Sequence, residues 1–396
     1  MTFCLLPKVN HDIYKNIEYI EPEELNENPV FISNNLSHYL SNIKEKITTN
    51  EKLWDTYKKY TNPYEYIHTP VYINIFQDTN EKIIKRSIAK DRPISRSYFK
   101  MIEIVHTFEL IPQDNTKEMK SFHLAEGPGG FIEALAVLRY NPKDIYIGMT
   151  LQDDAKDMNI PAWKKSQGFL NKYKNVVLEN GADGTGNILV LENLLFCKEK
   201  YGSTMDLITG DGGFDFSTDF NNQEIFISKL LFAQVAFAIT MQKKGGSFIL
   251  KIFDSFMKHT IDILYILSSF YEIVYIIKPQ TSRYANSERY IVCKRFIYEN
   301  NDFFPDIERC FIEMMKTPKE VPCRFLHIEV PFYFIQKLEE YNSIIGQKQI
   351  QNIHYTLSLM ENNFKNDKIN TLVETNIQKS IDWCIRYGVP YNSLHP

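Results

Sequence analysis

Two lysines and two carboxylates carry the chemistry that this sequence suggests. Lys100, Asp211, Lys251 and Glu288 each fall at the edge of an element in an alternating α/β pattern, beside the glycine turn Gly127-Pro128-Gly129-Gly130. Lys251 is the anomalous one. It sits inside Ser-Phe-Ile-Leu-Lys-Ile-Phe, otherwise the pattern of a buried strand, and lysine is rarely buried unless it is paired or functional. Burial and a second lysine lower the affinity of an amine for its proton, whereas carboxylates raise it. An amine so poised can take a proton from a hydroxyl. The ordinary alternative is an edge-strand lysine that snorkels to solvent. Asp211 follows the apolar run 205–209 between glycines, at the carboxyl end of a strand, where α/β sheets hold ligands. A turn or cap residue is the alternative there, with Asp215 close by to cap instead. Glu288 alone reads as a surface residue. Together the four suit moving a group onto an RNA hydroxyl better than hydrolysis, redox chemistry or phosphoryl transfer.

The elements that must position them alternate from Ser121 onward. The sequence predicts strands at 121–125, 144–150, 175–178, 205–209, 247–253, 272–278 and 289–296, with helices over 131–140, 223–243 and 255–270. Apolar residues at helical spacing from Ile94 to Phe108 place Lys100 on a helix. Strands alternating with helices imply a parallel sheet with helices on both faces. Only ten residues (279–288) join the last two strands, fewer than a parallel crossover needs, so the last strand is expected to be antiparallel. Residues 1 to about 70 read as an N-terminal extension with short helices, and 301–396 as a helical C-terminal extension, apolar at i, i+3, i+4.

Two further motifs suggest ligand contacts. Glycines between an apolar strand and an amphipathic helix let the backbone approach a ligand at a helix N-terminus. The spacing Gly-Pro-Gly-Gly disfavours a dinucleotide site, and a plain tight turn is the competing explanation. Asp183, in Gly-Ala-Asp-Gly-Thr-Gly, falls where a third sheet loop would pass over a cofactor and could accept from an adenine amino group. An Asp-Gly turn explains it nearly as well.

Bulk properties narrow the class. The chain has 396 residues, 44% hydrophobic and 24% charged, which is ordinary for a globular protein. Its formal net charge of -4 means that a nucleic acid would be held by a local basic patch. Residues 81–100 supply one: Lys82, Lys85, Arg86, Lys90, Arg92, Arg96 and Lys100 against Glu81 and Asp91. Beside an RNA site this becomes a track for phosphates; otherwise it is a solvated helix face. The six cysteines are scattered without a C-x-x-C pair, so free thiols without structural zinc are expected. No secretory signal, membrane span or nuclear-import cluster is visible, which leaves the cytoplasm as the expected location.

Taken together, ISRSYFKMIEI, AEGPGGFIEAL, YIGMTL, GADGTGNI, ITGDGGFDFS, GGSFILKIFD and KPQTSRYANSERYIVCK resemble the FtsJ-like (RrmJ-type) family of RNA ribose 2′-O-methyltransferases, most closely its mRNA cap-1 branch. The segments span about residues 90–296 in the family's order. The resemblance implies a Rossmann-like α/β methyltransferase domain over 76–300, between extensions 1–75 and 301–396. It implies that Lys100, Asp211, Lys251 and Glu288 form a K-D-K-E catalytic tetrad. It also implies S-adenosylmethionine as cofactor, held by Gly127, Pro128, Gly129, Gly130 and Phe131 with Thr150 at the second strand end and Asp183 at the adenine, and no metal. The family's first strand commonly ends near an Asp; here that position is His123, with Glu126 close by, and the second strand ends in Met149-Thr150 without an acid. The implied substrate is the capped 5′ end of mRNA, with capping or transcription machinery as partners. The aromatics Trp54, Tyr57, Tyr64 and Tyr66 are candidates to stack on the cap guanine. Methylation of rRNA or another internal ribose, and a non-catalytic RNA-binding subunit, are the alternatives; a dehydrogenase is disfavoured by the glycine spacing. The compact layout and a composition rich in Ile, Asn and Lys resemble large-DNA-virus relatives.

Overall fold

A computed structural model describes residues 2–21, 29–48, 51–74, 83–152, 162–213, 222–317, 321–361 and 366–392. Asp215 and Lys82 lie outside them, as does the side chain of Lys85. The centre is an eight-stranded sheet. Its strands are β1 (Thr2–Leu5), β5 (Lys120–Leu124), β6 (Ile145–Met149), β7 (Val176–Glu179), β8 (Met205–Gly210), β9 (Gln242–Ile252), β10 (Tyr271–Lys278) and β11 (Arg289–Phe296). Their spatial order is β1-β10-β11-β9-β8-β5-β6-β7. Two small antiparallel pairs complete the strands: β2 (Ile17–Ile20) with β12 (Arg324–Leu326), and β3 (Val71–Asn74) with β4 (Ile83–Arg86).

The pairs among β9, β8, β5, β6 and β7 are parallel. β11 lies between β9 and β10 and runs against both, as the short 279–288 connection requires. The N-terminal segment does more than the sequence suggested. Its first four described residues pair with β10 and extend the sheet by a strand. Four residues are too few to display a periodicity.

Side chains alternate across the sheet with period two. On one face Phe122, Ile208, Phe248, Leu250 and Ile291 join the large core, built with α6 (Leu191–Tyr201), α8 (Ser228–Met241), α9 (Lys258–Phe270) and α10 (Phe304–Lys316). On the other, Leu207, Ile249, Ile277, Tyr290 and Val292 pack on α3 (Ser97–Phe108) and α4 (Gly130–Arg139). Every residue of α8 is buried, as expected for a helix that is apolar all round. The sequence predicts one helix over 223–243, but the structure breaks it at Ile227 into α7 (Gln223–Phe226) and α8, and β9 begins at Gln242. The short α5 (Gln167–Lys172) lies before β7.

Helices from both ends of the chain form layers on this frame. α11 (Phe332–Glu361) packs on α1 (Asn34–Thr48) and α2 (Glu51–Thr61), and α12 (Asn366–Arg386) packs on α2 and the turn at 65–67. A buried polar network ties them to the sheet. Arg289, fully buried at the start of β11, donates to Asp254 Oδ1 (3.3 Å), Ser255 Oγ (3.1 Å) and Asn342 Oδ1 of α11 (2.6 Å). Lys44 of α1 donates to Asp254 Oδ2 (3.3 Å) and Ser287 Oγ (2.9 Å). Removing one member of such a network strands the others in low dielectric. Arg289→Met is expected to destabilise the fold by about 3 kcal/mol, read by urea unfolding.

Candidate active site

Four elements meet at the carboxyl edge of the sheet. Asp211 follows β8 directly, and Lys251 lies on the neighbouring β9, where Gly210 and Leu250 are in register. Lys251 Nζ is 3.3 Å from Asp211 Oδ1 and donates to the Asp211 carbonyl at 2.6 Å. Lys100, in the first turn of α3, reaches both oxygens of Glu288, at 2.7 and 2.8 Å. Tyr290 joins the two pairs. It is the β11 register partner of Lys251, its hydroxyl donates to Asp211 Oδ1 (3.0 Å), and Lys100 Nζ lies 5.9 Å from its ring centre. The four side chains that the sequence singled out are therefore neighbours, each 12–17% exposed. They are mostly desolvated yet open to solvent on one side.

The sequence reading missed a third lysine. Lys278, at the end of β10, is 4% exposed and donates to the carbonyls of Asn286 (2.7 Å) and Glu288 (2.7 Å) and to Asn286 Oδ1 (2.5 Å). Its signal was the same as that of Lys251, a lysine closing the apolar run Ile273–Ile277. Burial pushes the Lys278 amine down to about 7, against the pull of Glu288. Burial alone would push the Glu288 carboxyl up, but Lys100, Lys251 and Lys278 hold it down to about 2.

The loop that carries Glu288 is held along its length. Buried Glu103, one turn beyond Lys100 on α3, accepts the N–H groups of Gln280 (2.7 Å) and Thr281 (3.1 Å). Ser282 Oγ donates to Glu288 Oε1 (2.8 Å). Arg283 and Arg96 share Glu65, with closest contacts of 2.8 and 2.9 Å. Gln349 of α11 donates to the Ala285 carbonyl (3.0 Å).

The glycine turn sits beside this cluster. Gly129 has φ +109°, and a Cβ at Gly127 would lie 2.6 Å from the Ala162 carbonyl oxygen. One at Gly130 would strike the hydroxyls of Ser95 and Ser97. Pro128 accepts a hydrogen bond from Ser166 Oγ (2.7 Å). Phe131 buries its ring against the core, 6.0 Å from the Tyr290 ring, so it offers the turn only backbone. Thr150 borders Gly127. The 183–186 turn reaches Thr150 through Gln152 N–H to the Thr185 carbonyl (2.7 Å). Asp183 Oδ1 accepts from Thr185 N–H (2.9 Å), Thr185 Oγ1 (2.8 Å) and Asn193 Nδ2 (2.9 Å), and these bonds lower its pKa.

His123 is not at the turn's ligand edge. It is buried within β5, 2.8 Å from both Ser121 Oγ and Thr209 Oγ1, and burial drops its pKa to about 3. The acid at the turn is Glu126, whose Oε1 accepts Phe131 N–H (2.6 Å) while its buried Oε2 has no partner among the described residues. A close-backbone glycine cradle with an unsatisfied carboxylate oxygen fits a nucleoside that carries a charged amino-acid group.

Of the basic stretch, Arg86, Lys90 and Arg92 are exposed, whereas Arg96 and Lys100 are held in ion pairs.

This arrangement of sheet, turn and sheet-edge cluster defines a methyltransferase. The FtsJ-like methyltransferase family model matches residues 93–296, more than half of the chain, and the chain belongs to that family. A cap-specific mRNA (nucleoside-2′-O-)-methyltransferase 1 of Trypanosoma brucei brucei is 30% identical over 275 residues, covering 66% of this chain and 70% of the relative. The corresponding enzyme of Trypanosoma cruzi is 30% identical over 247 residues, covering 59% and 64%. A cap-specific mRNA (nucleoside-2′-O-)-methyltransferase 2 of Pongo abelii is 28% identical over 297 residues, covering 72% of this chain but only 38% of that longer protein. The protein is an S-adenosylmethionine-dependent RNA 2′-O-methyltransferase.

Because the Glu288 carboxyl is held near 2, below its unfolded value of roughly 4.3, it contributes stability that is present above the unfolded pKa and lost as pH falls through the folded one. Between pH 5 and pH 3, Glu288→Gln is therefore expected to lose less unfolding free energy than the wild type, measured by denaturant titration at each pH.

Proposed function

We propose that this enzyme forms cap 1, methylating the 2′-hydroxyl of the first transcribed nucleotide of capped mRNA. The observation that carries the reading is the pairing of Lys251 with Asp211 and of Lys100 with Glu288 around Tyr290, beside the glycine turn. The cofactor supplies an electrophilic methyl group on a sulfonium. Asp211 and Tyr290 fix the amine of Lys251 at the sheet edge. Lys251 holds the 2′-hydroxyl on the line of attack and takes its proton while the carbon–oxygen bond forms and the carbon–sulfur bond breaks, leaving a neutral thioether. Glu288 holds Lys100 beside it as a fixed positive charge that orients the ribose, and Asp211 orients Lys251. The exposed Arg86, Lys90 and Arg92 are suited to RNA phosphates.

Cap selection is supported by the relatives' names and by a cleft of about 450 Å³ that reaches Asp254, three residues beyond Lys251. Asn34, His38, Lys44, Glu224, Asp254 and Phe256 are among its lining residues. Exposed His38 offers the cleft a ring on which a purine can stack. Of the four aromatics expected to stack on the cap, Trp54 and Tyr66 are buried, which leaves Tyr57 and Tyr64 at the surface in part.

In Lys251→Ala, methyl transfer is expected to fall by at least about 100-fold, while S-adenosylhomocysteine binds as in the wild type; near-normal transfer would sink the mechanism. The cap reading is tested separately. Ser41→Trp fills the cleft from α1. It is expected to raise KM for a short capped RNA and to leave the same RNA without a cap unaffected. Equal loss on both substrates, or wild-type preference for the uncapped RNA, would count against cap selection.

A further inference from the structure

Glu126 stands apart from the groups that the transfer uses. It is the one carboxylate in the 125–131 turn, and it is 4% exposed. One oxygen is engaged: Oε1 accepts the N–H groups of Phe131 (2.6 Å) and Ile132 (3.4 Å) and so caps the first turn of α4. The other, Oε2, is buried without a hydrogen-bond partner among the described residues. Folded proteins leave few such atoms, and each costs free energy until it is satisfied. The ends of the two neighbouring strands, at His123 and Thr150, carry no carboxylate. His123 is neutral and locked between Ser121 and Thr209, and β6 runs out into Thr150.

We propose that Glu126 is the receptor for the ammonium group of the cofactor's methionine moiety, with Oε2 as the acceptor. The inference rests on the glycine turn being the S-adenosylmethionine site. An ammonium brings both things that Oε2 lacks, a donor and a positive charge. Through Oε1 the same carboxylate is fastened to the helix that begins at the turn, so the amino-acid end of the cofactor is placed relative to α4. Glu126 also feels Asp211 and Lys251, which puts the ammonium at the inner end of the sheet-edge cluster. Burial, reinforced by the charge on Asp211, raises the pKa of the free carboxyl well above the usual carboxylate range. An arriving ammonium reverses that balance and favours the ionised form. Binding therefore favours release of any proton that the Glu126 carboxyl holds and tightens as pH rises through its titration.

The experiment is calorimetric titration of the full chain with two probes, S-adenosylhomocysteine and 5′-methylthioadenosine, which lacks the amino-acid group. Each is measured at pH 7 in two buffers of different protonation enthalpy. The wild type is expected to release a proton on binding S-adenosylhomocysteine and none on binding methylthioadenosine. Glu126→Gln keeps an acceptor for Phe131 N–H and should melt close to the wild type. It is expected to bind S-adenosylhomocysteine roughly tenfold or more weakly, without proton release, and methylthioadenosine unchanged. Equal weakening of both probes would mean that Glu126 only caps the helix, and unchanged S-adenosylhomocysteine binding would also overturn the inference. The wild type tests it even if the variant does not fold, since an affinity for S-adenosylhomocysteine no higher than that for methylthioadenosine overturns it. A wild type that binds neither probe would instead remove the turn as the cofactor site, and the inference with it.

Discussion

The structure depends on holding two ion pairs at the edge of a sheet where neither is fully hydrated. Lys100 with Glu288 and Lys251 with Asp211 are each less than one-fifth exposed. Desolvation costs several kcal/mol per ion unless geometry and further hydrogen bonds compensate. Here the compensation comes from a surrounding shell: Tyr290 on Asp211, Ser282 on Glu288, and Lys278 on the Glu288 carbonyl. With each charge already partnered, the cluster is fixed before any ligand arrives, the pre-organisation on which the proposed mechanism draws.

That constraint explains why the chain wraps its methyltransferase sheet in helices from both ends. The 279–288 loop is held by Glu103 of α3, by Glu65 of the N-terminal extension through Arg283, and by Gln349 of α11. The residues that flank Glu288 are anchored as well, Ser287 by Lys44 of α1 and Arg289 by Asn342 of α11. Elements far apart in sequence thus converge on one loop. A loop left to itself would sample many conformations, and Glu288 would not stay opposite Lys100.

Much of this was legible in the residues. The alternating strands and helices and the reversed last strand follow from periodicity and from the short 279–288 connection, whereas a site that joins Lys100 and Glu288 to Asp211 and Lys251 was implied by the family resemblance. Other features were not. β1 is four residues long, and its place beside β10 is a long-range pairing without local signature. The break at Ile227 splits a stretch that reads as one helix. His123 resembled a departure at the cofactor edge, yet it is a core histidine held by two hydroxyls. Lys278 carried the same anomaly as Lys251, but a lysine at a strand end reads as a boundary until its surroundings are seen.

By itself, the sequence determined the class of sheet, the order of its elements, the methyltransferase family and which residue types stand at the sheet edge. The elements are properties of local pattern, where a period of two or 3.6 suffices, and the family rests on the resemblance of its motifs. Only the tertiary structure decided which groups share a site: that Tyr290 bridges the pairs, that Lys278 backs Glu288, and that Glu126 rather than residue 123 brings a carboxylate to the glycine turn. The reason is physical. Partnership and burial are set by contacts between residues far apart in the chain, 188 positions for Lys100 and Glu288 and 243 for Lys44 and Ser287, and charge in a desolvated site takes its properties from those contacts.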